Sequence, residues 1–332
     1  MEVAVFSTRS YDRSALEAAA AGTAFRLRFL EARLGPDTAG LAEGSDAVCL
    51  FVNDQANAAA LAKLAEVGVW GVTTRSAGFN HVDLDAARAH GLPVLCVPGY
   101  GPHGVAEHAL ALLFTLNRHT HRAAERVRSG NFALDGMMGF ELRGKTVGVV
   151  GTGTIGATAA RKFLCLGCRV LAMDRKEDPG LIEEGAEYVH DAAEFWPRLD
   201  ALSLHCPHTP ETHHLVDAAA LDAMPDHAVV INTSRGGLLD TEAALAALKE
   251  GRIGGLGIDV YEHESGLFFE DHSDEGIRDP LLAQLVALPN ALVTGHQAFF
   301  TREAVQRIAE TTVQNLRDLD AGTADRSDNL VT

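Results

Sequence analysis

The stretch Thr146–Gly156, TVGVVGTGTIG, decides how this chain folds. It begins with a short valine-rich run, which favours a buried β-strand. It continues through three glycines with the spacing G-x-G-x-x-G, and the residues that follow, Ala157–Leu166, have the composition of a helix. A strand that turns through closely spaced glycines into a helix predicts a β-α-β unit of a parallel sheet.

The three glycines of this turn have separate physical tasks. Gly151 permits the tight turn, Gly153 lets a pyrophosphate approach the backbone, and Gly156 lets the helix pack closely on the strand. The free N–H groups of the helix N-terminus then face the phosphates. The next predicted strand ends at Asp174, 18 residues past the last glycine. A carboxylate there binds the ribose hydroxyls of NAD and repels the 2′-phosphate of NADP, so we predict NAD as the cofactor.

Strands and helices alternate through most of the chain on both sides of this stretch. Short apolar runs such as Val3–Thr8 and Ala228–Thr233 alternate with alanine-rich helical stretches such as Thr241–Glu250. The 332 residues therefore predict the α/β class, with two doubly wound parallel-sheet (Rossmann-like) domains. The pattern breaks at Val105–Asn117, a helical stretch followed by another without a strand between, which we interpret as the crossover between domains. The last long helix, Arg302–Leu319, is expected to return to the first domain.

The composition argues against several classes of protein. Lys and Arg number 28 and Asp and Glu 45, so the net charge of −17 repels nucleic acid and anionic lipid. There is no run of about 18 apolar residues and no secretory pattern at the start, so we expect no membrane span and a cytoplasmic location. Two of the five cysteines, Cys165 and Cys168, form C-x-x-C without a second pair, which favours packing over redox or metal chemistry.

Chemically active residues follow three predicted strands of the second sheet. Arg235 comes directly after AVVINTS, and His296 ends ALVTGH. Asp259 closes GLGID, and Glu264 follows five residues later. Because ligands bind outside the carboxyl ends of parallel strands, we expect these side chains to face one crevice together with the glycine turn.

The types of these residues suit the interconversion of a 2-keto acid and a 2-hydroxy acid. The guanidinium of Arg235 presents a planar fork that matches a carboxylate and can polarise a ketone. Histidine exchanges a proton readily at neutral pH, and an adjacent carboxylate orients its ring. We therefore predict that His296 protonates the carbonyl oxygen as NADH delivers hydride to the carbon, and accepts the hydroxyl proton in the reverse direction.

A histidine-rich stretch, HCPHTPETHH, separates the glycine turn from these residues. It contains four histidines, His205, His208, His213 and His214. No close set of Cys or Asp partners with ligand spacing accompanies them, so we expect no metal site. We interpret the stretch as a loop under the nicotinamide ring, lined by Cys206 and Pro207.

Together these motifs resemble the D-isomer-specific 2-hydroxyacid dehydrogenases over nearly the whole chain, with the D-lactate dehydrogenase branch the most similar. The resemblance rests on RSAGFNHVDLDAA (Arg75–Ala87), VAEHALAL (Val105–Leu112), GTGTIG, HCPHTPET (His205–Thr212), INTSRGGLLD (Ile231–Asp240), GIDVYE (Gly257–Glu262), LFFEDHS (Leu267–Ser273) and TGHQAFFTREA (Thr294–Ala304). It implies a substrate domain built from both chain ends, 1–100 and 300–332, and an NAD-binding domain at 101–299. It also implies a homodimer through the Val105–Asn117 region.

The resemblance further implies roles for individual residues. Those acting on the substrate are Arg235 as its binder, Glu264 as partner of the histidine, and His296 as the acid and base. Those shaping the substrate site are Ala77 and Gly78, through backbone N–H groups, and Tyr100 and Phe299, as walls. Cofactor contacts are implied at the three glycines and at Thr154, Ile155, Asp174, Cys206, Pro207, Thr212, Thr233, Ser234 and Asp259.

Pyruvate and D-lactate are the predicted pair, and three alternatives stay open. The first keeps the chemistry with a bulkier keto acid, such as phenylpyruvate or 2-ketoisocaproate. The second is a non-catalytic NAD-sensing protein on the same fold, which would not need Arg235, Glu264 and His296 together. The third is formate oxidation, which offers no hydroxyl proton for a His–Glu pair to remove.

Overall fold

A computed structural model describes all residues from Met1 to Thr332. The chain forms two compact units, one made of Met1–Gly101 with Phe300–Thr332 and the other of Pro102–Phe299. Each unit is a parallel sheet flanked by helices. The α/β class with two doubly wound sheets is therefore confirmed. No helix combines the length and the apolar composition that a membrane crossing requires.

The first unit contains a five-stranded parallel sheet with the order β2-β1-β3-β4-β5. Its strands are β1 (Glu2–Val5), β2 (Arg26–Phe29), β3 (Ala47–Leu50), β4 (Gly71–Thr74) and β5 (Val94–Leu95). Its helices are α1 (Ser10–Ala19), α2 (Ala58–Glu66), α3 (Leu84–Ala89) and, from the other end of the chain, α12 (Arg302–Asp320). Gly71 is required where α12 crosses the sheet, because a Cβ there would lie 2.9 Å from a methyl group of Leu319.

The second unit contains a seven-stranded parallel sheet with the order β12-β11-β10-β9-β6-β7-β8. Its strands are β6 (Thr146–Val150), β7 (Arg169–Met173), β8 (Glu187–Tyr188), β9 (Ala201–Leu204), β10 (Val229–Asn232), β11 (Gly255–Ile258) and β12 (Ala291–Val293). Its helices are α4 (Pro102–Asn117), α5 (Thr120–Arg128), α6 (Thr154–Cys165), α7 (Pro179–Glu183), α8 (Ala192–Phe195), α9 (Ala218–Ala223), α10 (Thr241–Glu250) and α11 (Pro280–Val286).

The strand order of the second unit creates a crevice at its centre. Strand β6 pairs with β7 on one side and with β9 on the other, so the chain changes direction across the sheet at β6. The loops after β6 and β9 leave the sheet in opposite directions at such a point, and ligands bind between them. Strands β9, β10 and β11 are fully buried, which holds the loops at their carboxyl ends on a rigid base.

Candidate active site

The glycine turn after β6 is closely packed at two glycines and open at the third. Gly151 has a φ of +86°, and a Cβ there would overlap the backbone N of Cys206. A Cβ on Gly156 would overlap the carbonyl oxygen of Gly151. Around Gly153, by contrast, nothing lies within 4 Å of the place a Cβ would take. The turn therefore leaves space for a ligand at the middle glycine.

Helix α6 begins at this open position and directs its N-terminus toward it. Gly153 is the N-cap residue, and no side chain caps the first backbone N–H groups. Thr154 is exposed and Ile155 half-buried at the start of the helix. Unpaired N–H groups and the positive end of the helix dipole make this a site for a phosphate-bearing ligand.

Asp174 lies just after β7 and is fixed against the glycine turn. Its carboxylate accepts hydrogen bonds from the backbone N of Thr152 at 2.5 Å and of Lys176 at 3.1 Å. Burial raises the pKa of Asp174, but these backbone hydrogen bonds outweigh it and hold the pKa below the usual carboxyl range. Asp174 is therefore ionised at neutral pH, as recognition of a diol by a carboxylate requires.

The loops after β9 and β10 face the same turn. The side chain of Ser234 donates to the carbonyl oxygen of Cys206 at 2.7 Å, which joins the two loops. Thr212 donates to the carbonyl oxygen of Pro207 at 2.7 Å and so folds the loop after β9 back on itself. The buried hydroxyl of Thr233 has no hydrogen-bond partner in the chain. An orphaned hydroxyl beside an open turn fits a bound ligand that supplies the missing partner.

His296 and Glu264 form a hydrogen-bonded pair. The Nδ1 atom of His296 lies 2.9 Å from Oε1 of Glu264, and the side chains are 17% and 28% exposed. A carboxylate can only accept, so the proton of this hydrogen bond is on Nδ1 of the ring. The pair orients the imidazole and leaves Nε2 as the nitrogen that can exchange a proton with a ligand.

The backbone at His296 is unusual and is held in place by Asp259. His296 has a φ of 53°, in the left-handed region that favours glycine. Its N–H donates to the carbonyl oxygen of Asp259 at 2.7 Å. The Asp259 carboxylate, fully buried, accepts from the backbone N of Gln297 at 2.9 Å and of Ala298 at 2.7 Å. Both carboxylate oxygens accept hydrogen bonds inside the protein, so Asp259 positions the turn at His296. The cofactor contact that the resemblance implies for Asp259 stays a prediction.

Two further residues complete this support, and no motif in the sequence points to this role for either of them. Thr294 donates its hydroxyl to Asp259 at 2.5 Å, and Nε2 of His108 lies 3.0 Å from that hydroxyl. His108 belongs to α4, far from any strand end in the sequence, so no local pattern distinguishes it from the other histidines. Only the packing of α4 on the sheet reveals its role.

Arg235 follows β10 on a tightly folded loop. Asn232 donates its side-chain amide to the carbonyl oxygen of Arg235 at 2.8 Å, which turns the chain back toward the strand. One guanidinium nitrogen donates to the Ser234 carbonyl oxygen at 2.6 Å, and the group keeps its other donors for a ligand. The next residue, Gly236, packs so closely on the peptide between Tyr261 and Glu262 that a Cβ would overlap it. The Arg235 loop therefore rests on the segment that leads to Glu264.

The residues that the resemblance places around the substrate belong to both units. Phe299 ends the second unit, and Ala77, Gly78 and Tyr100 belong to the first. The loop with Ala77 and Gly78 starts from Arg75, a buried arginine that donates to the Phe6 carbonyl oxygen at 2.9 Å. The side chain of Ser76 then donates to the carbonyl oxygen of Gly78 at 2.7 Å. These bonds give the loop a defined shape, and the role of its N–H groups stays a prediction.

The NAD-binding domain of the D-isomer specific 2-hydroxyacid dehydrogenases matches residues 110–298. The chain is 47% identical over 322 residues to D-lactate dehydrogenase of Escherichia coli, covering 97% of this chain and 98% of that protein. It is 46% identical to a 2-hydroxyacid dehydrogenase homolog of Haemophilus influenzae, with 97% of each chain covered.

Among solved structures, the apo form of E. coli D-lactate dehydrogenase superimposes with a TM-score of 0.90 at 44% identity over 100% of both chains. D-lactate dehydrogenase from Aquifex aeolicus, complexed with NAD and lactic acid, gives a TM-score of 0.88 at 31% identity, covering 99% of this chain and 98% of that one.

Proposed function

The chain belongs to the D-isomer specific 2-hydroxyacid dehydrogenases, NAD-dependent oxidoreductases that act on CH–OH groups, and on that premise we propose that it reduces pyruvate to D-lactate. The observation that carries the proposal is the hydrogen bond between Nδ1 of His296 and Glu264. It provides an oriented proton donor in the unit that contains the cofactor-binding turn. The similarity to D-lactate dehydrogenases supports a small keto acid as the substrate.

The residues present fit NAD. The open space at Gly153, the uncapped start of α6 and the orphaned hydroxyl of Thr233 are the features that a dinucleotide would fill. Asp174, held ionised, would bind the ribose hydroxyls of its adenosine part. NAD(H), when bound, supplies or accepts the hydride at the substrate carbon.

His296 supplies the proton in this proposal. Nδ1 stays bonded to Glu264, and Nε2 donates its proton to the carbonyl oxygen of the keto acid. In the oxidising direction the same nitrogen takes the proton of the hydroxyl group. Glu264 keeps the ring oriented and stabilises its positive charge in both directions. General acid–base catalysis of this kind accelerates a reaction by ~10²–10⁴-fold, so we expect the His296–Glu264 pair to provide a large part of the rate enhancement.

Arg235 binds the substrate in this proposal. The chain carries a net charge of −17, which repels an anionic keto acid at long range. A local cation is therefore needed, and Arg235 offers a planar fork to the carboxylate and the carbonyl oxygen. We propose that the backbone N–H groups at Ala77 and Gly78 add hydrogen bonds to the carboxylate, with Tyr100 and Phe299 around the substrate methyl group.

A panel of keto acids tests the choice of substrate. Oxidation of NADH by the purified protein is followed with pyruvate, 2-ketobutyrate, 2-ketoisocaproate, phenylpyruvate, hydroxypyruvate and glyoxylate. We expect the highest kcat/KM with pyruvate and a decline as the side chain grows. A preference for phenylpyruvate or 2-ketoisocaproate would keep the mechanism and replace the substrate with the bulkier alternative.

Asp174→Asn tests the selectivity between the two nicotinamide cofactors. The amide oxygen can still accept from Thr152, so the turn stays folded, but the charge that repels a 2′-phosphate is lost. We expect the KM for NADH to rise by roughly tenfold, since a hydrogen bond to a charged group contributes ~1.5–3 kcal/mol, and NADPH to become a better substrate. Steady-state rates with both cofactors measure this. The control is Glu177→Gln, which removes a charge farther along the same loop. If the ratio of kcat/KM for NADH to kcat/KM for NADPH is unchanged in Asp174→Asn, Asp174 does not bind the ribose.

Asp259→Asn tests the support of His296. One of the two oxygens becomes an NH₂ group that faces backbone N–H donors, and each buried donor left without an acceptor costs about 1–3 kcal/mol. We expect the melting temperature to fall by ~2–4 °C for each kcal/mol of unfolding free energy that is lost, and kcat to fall as well. Thermal unfolding and steady-state kinetics measure the two effects, with the exposed Asp226→Asn as the matched control. Wild-type values of both quantities would mean that Asp259 does not hold the turn.

We also propose that the protein is a cytoplasmic homodimer that contacts its partner through the Val105–Asn117 region. Large apolar side chains are exposed on α4 and on the segment after α5, namely Phe114, Phe132, Leu134 and Met138, at 38%, 74%, 84% and 91%. Large apolar side chains that form a contiguous exposed surface are more typical of an interface than of a monomer surface. The five cysteines are free, as is common in a reducing compartment. Light scattering on the purified protein tests the dimer.

A further inference from the structure

A cluster of histidines with one glutamate lies in the second unit and shares no residue with the glycine turn or the His296–Glu264 pair. The rings of His213 and His214 are stacked with their centroids 3.9 Å apart. Nε2 of His214 lies 2.6 Å from Oε1 of Glu262, and Nε2 of His208 lies 3.1 Å from Nδ1 of His213. One nitrogen from each of His213 and His214 and one oxygen of Glu262 lie within 4.8 Å of one another.

Two imidazoles and a carboxylate are ligands that Zn²⁺ and similar transition-metal ions prefer. In a tetrahedral site with metal–ligand distances of ~2.0–2.1 Å, the ligand atoms lie roughly 3.3 Å from each other. The cluster therefore needs side-chain movements of about 1 Å or less to close on an ion. His213 is exposed and free to make that movement, and His208 is placed to supply a fourth ligand.

Neighbouring groups hold two of the three ligands in position. The backbone N of His214 donates to the carbonyl oxygen of Gly237 at 2.8 Å, and its Nδ1 faces a carboxylate oxygen of Asp240 at 4.0 Å. The second oxygen of Glu262 faces the hydroxyl of Thr241 at 3.4 Å. Carboxylates and hydroxyls behind the ligands orient metal sites in this way. The net charge of −17 also favours a cation over an anion at this surface.

The site was excluded in the sequence analysis because its acidic ligand is distant in the chain. Glu262 follows His214 by 48 residues and reaches it only because the loops after β9 and β11 meet at the carboxyl ends of the parallel strands. His205, which the motif HCPHTPETHH includes, does not take part. Its ring is buried next to Ser203, and burial lowers its pKa to about 4.

We propose that His213, His214 and Glu262, assisted by His208, bind a divalent transition-metal ion of the zinc class. The site is adjacent to the catalytic segment, since Glu262 is two residues from Glu264 and a carboxylate oxygen of Glu264 accepts from the backbone N of Tyr261 at 3.1 Å. A metal ion bound there fastens the loop after β9 to the segment that carries Glu264. The proposal differs from the expectation of no metal site that the sequence supports.

The test is a titration of the full, untagged chain with CoCl₂ after removal of bound metals with EDTA and gel filtration. We expect saturable binding of one Co²⁺ per chain, with the visible absorption bands of a four-coordinate ion that ZnCl₂ abolishes. Zn²⁺ should also raise the melting temperature, because an ion that binds the folded state alone stabilises it. The absence of saturable binding to the wild-type chain would overturn the proposal.

Variants locate the binding. His213→Ala removes an exposed side chain, so it should fold and retain NADH-dependent turnover in the absence of metal. We expect it to weaken Co²⁺ binding by more than about tenfold, since loss of even an outer partner costs ~10–100-fold. Glu262→Gln should weaken Co²⁺ binding to a similar extent. The control is His190→Ala, which removes an exposed histidine that lies 3.0 Å from a glutamate elsewhere in this unit. Co²⁺ binding that survives both His213→Ala and Glu262→Gln would also overturn the proposal.

Discussion

Replacing His296 with asparagine lowers the turnover of pyruvate by ~10²–10⁴-fold and leaves NADH binding intact. Asparagine is the suitable replacement because the backbone at this position has a φ of 53°, which asparagine tolerates better than most residues. The turn that Asp259 holds is thus preserved, while the side chain can no longer exchange a proton. The lost rate then reports the proton transfer itself and not a collapse of the loop.

Two measurements separate these effects. Single-turnover rates with pyruvate give the loss in chemistry, and quenching of NADH fluorescence gives the affinity for the cofactor. His190→Asn, at an exposed histidine of the same unit, should match wild type in both. A turnover of His296→Asn close to wild type would show that His296 is not the proton donor, whatever its position.

Replacing Arg235 with lysine has the second largest expected effect, a fall in kcat/KM for pyruvate of roughly 10²-fold. At ~1.4 kcal/mol for each factor of ten, this is a loss of about 3 kcal/mol of transition-state stabilisation. The positive charge remains, so the loss reflects the fork geometry that an ammonium group cannot reproduce. The loop itself should survive, because Asn232 bonds to the backbone carbonyl oxygen of Arg235 and not to its side chain.

Kinetics at varied pyruvate concentration locate this effect. We expect the KM for pyruvate to rise and kcat to fall, with the KM for NADH unchanged. Arg278→Lys serves as the control, since Arg278 is 75% exposed and pairs with a nearby glutamate. If the apparent affinity for pyruvate in Arg235→Lys equals that of wild type, Arg235 does not contact the substrate.

The central strands of the sheets could be predicted from sequence, and two of the four edge strands could not. Runs such as Ala228–Thr233 are apolar because both faces of a central parallel strand are buried. Of the four edge strands β2, β5, β8 and β12, two were missed, namely β2 and β8. Strand β2 (RLRF) alternates between exposed and half-buried residues and contains two arginines, and β8 has only two residues. Neither of these two strands contains a buried residue, so its composition does not differ from that of a loop.

The candidate site was predictable where it depends on strand ends and was missed where it depends on packing. Arg235 and His296 each lie in the loop just after a strand, and the topology rule for parallel sheets makes such positions candidates for ligand binding. The support of His296 by His108 relies on how a helix packs on the sheet. The proximity of Glu262 to His214 relies on two loops far apart in the chain. Neither contact leaves a pattern in the local sequence.

The most direct test of the account is the handedness of the product made from pyruvate and NADH. The purified protein is incubated with both, and the lactate formed is separated on a chiral column alongside the NADH consumed. We expect D-lactate in a one-to-one ratio with the NADH oxidised, and we expect His296→Asn to lose this product. The formation of L-lactate, or no lactate at all while NADH still binds, would contradict it.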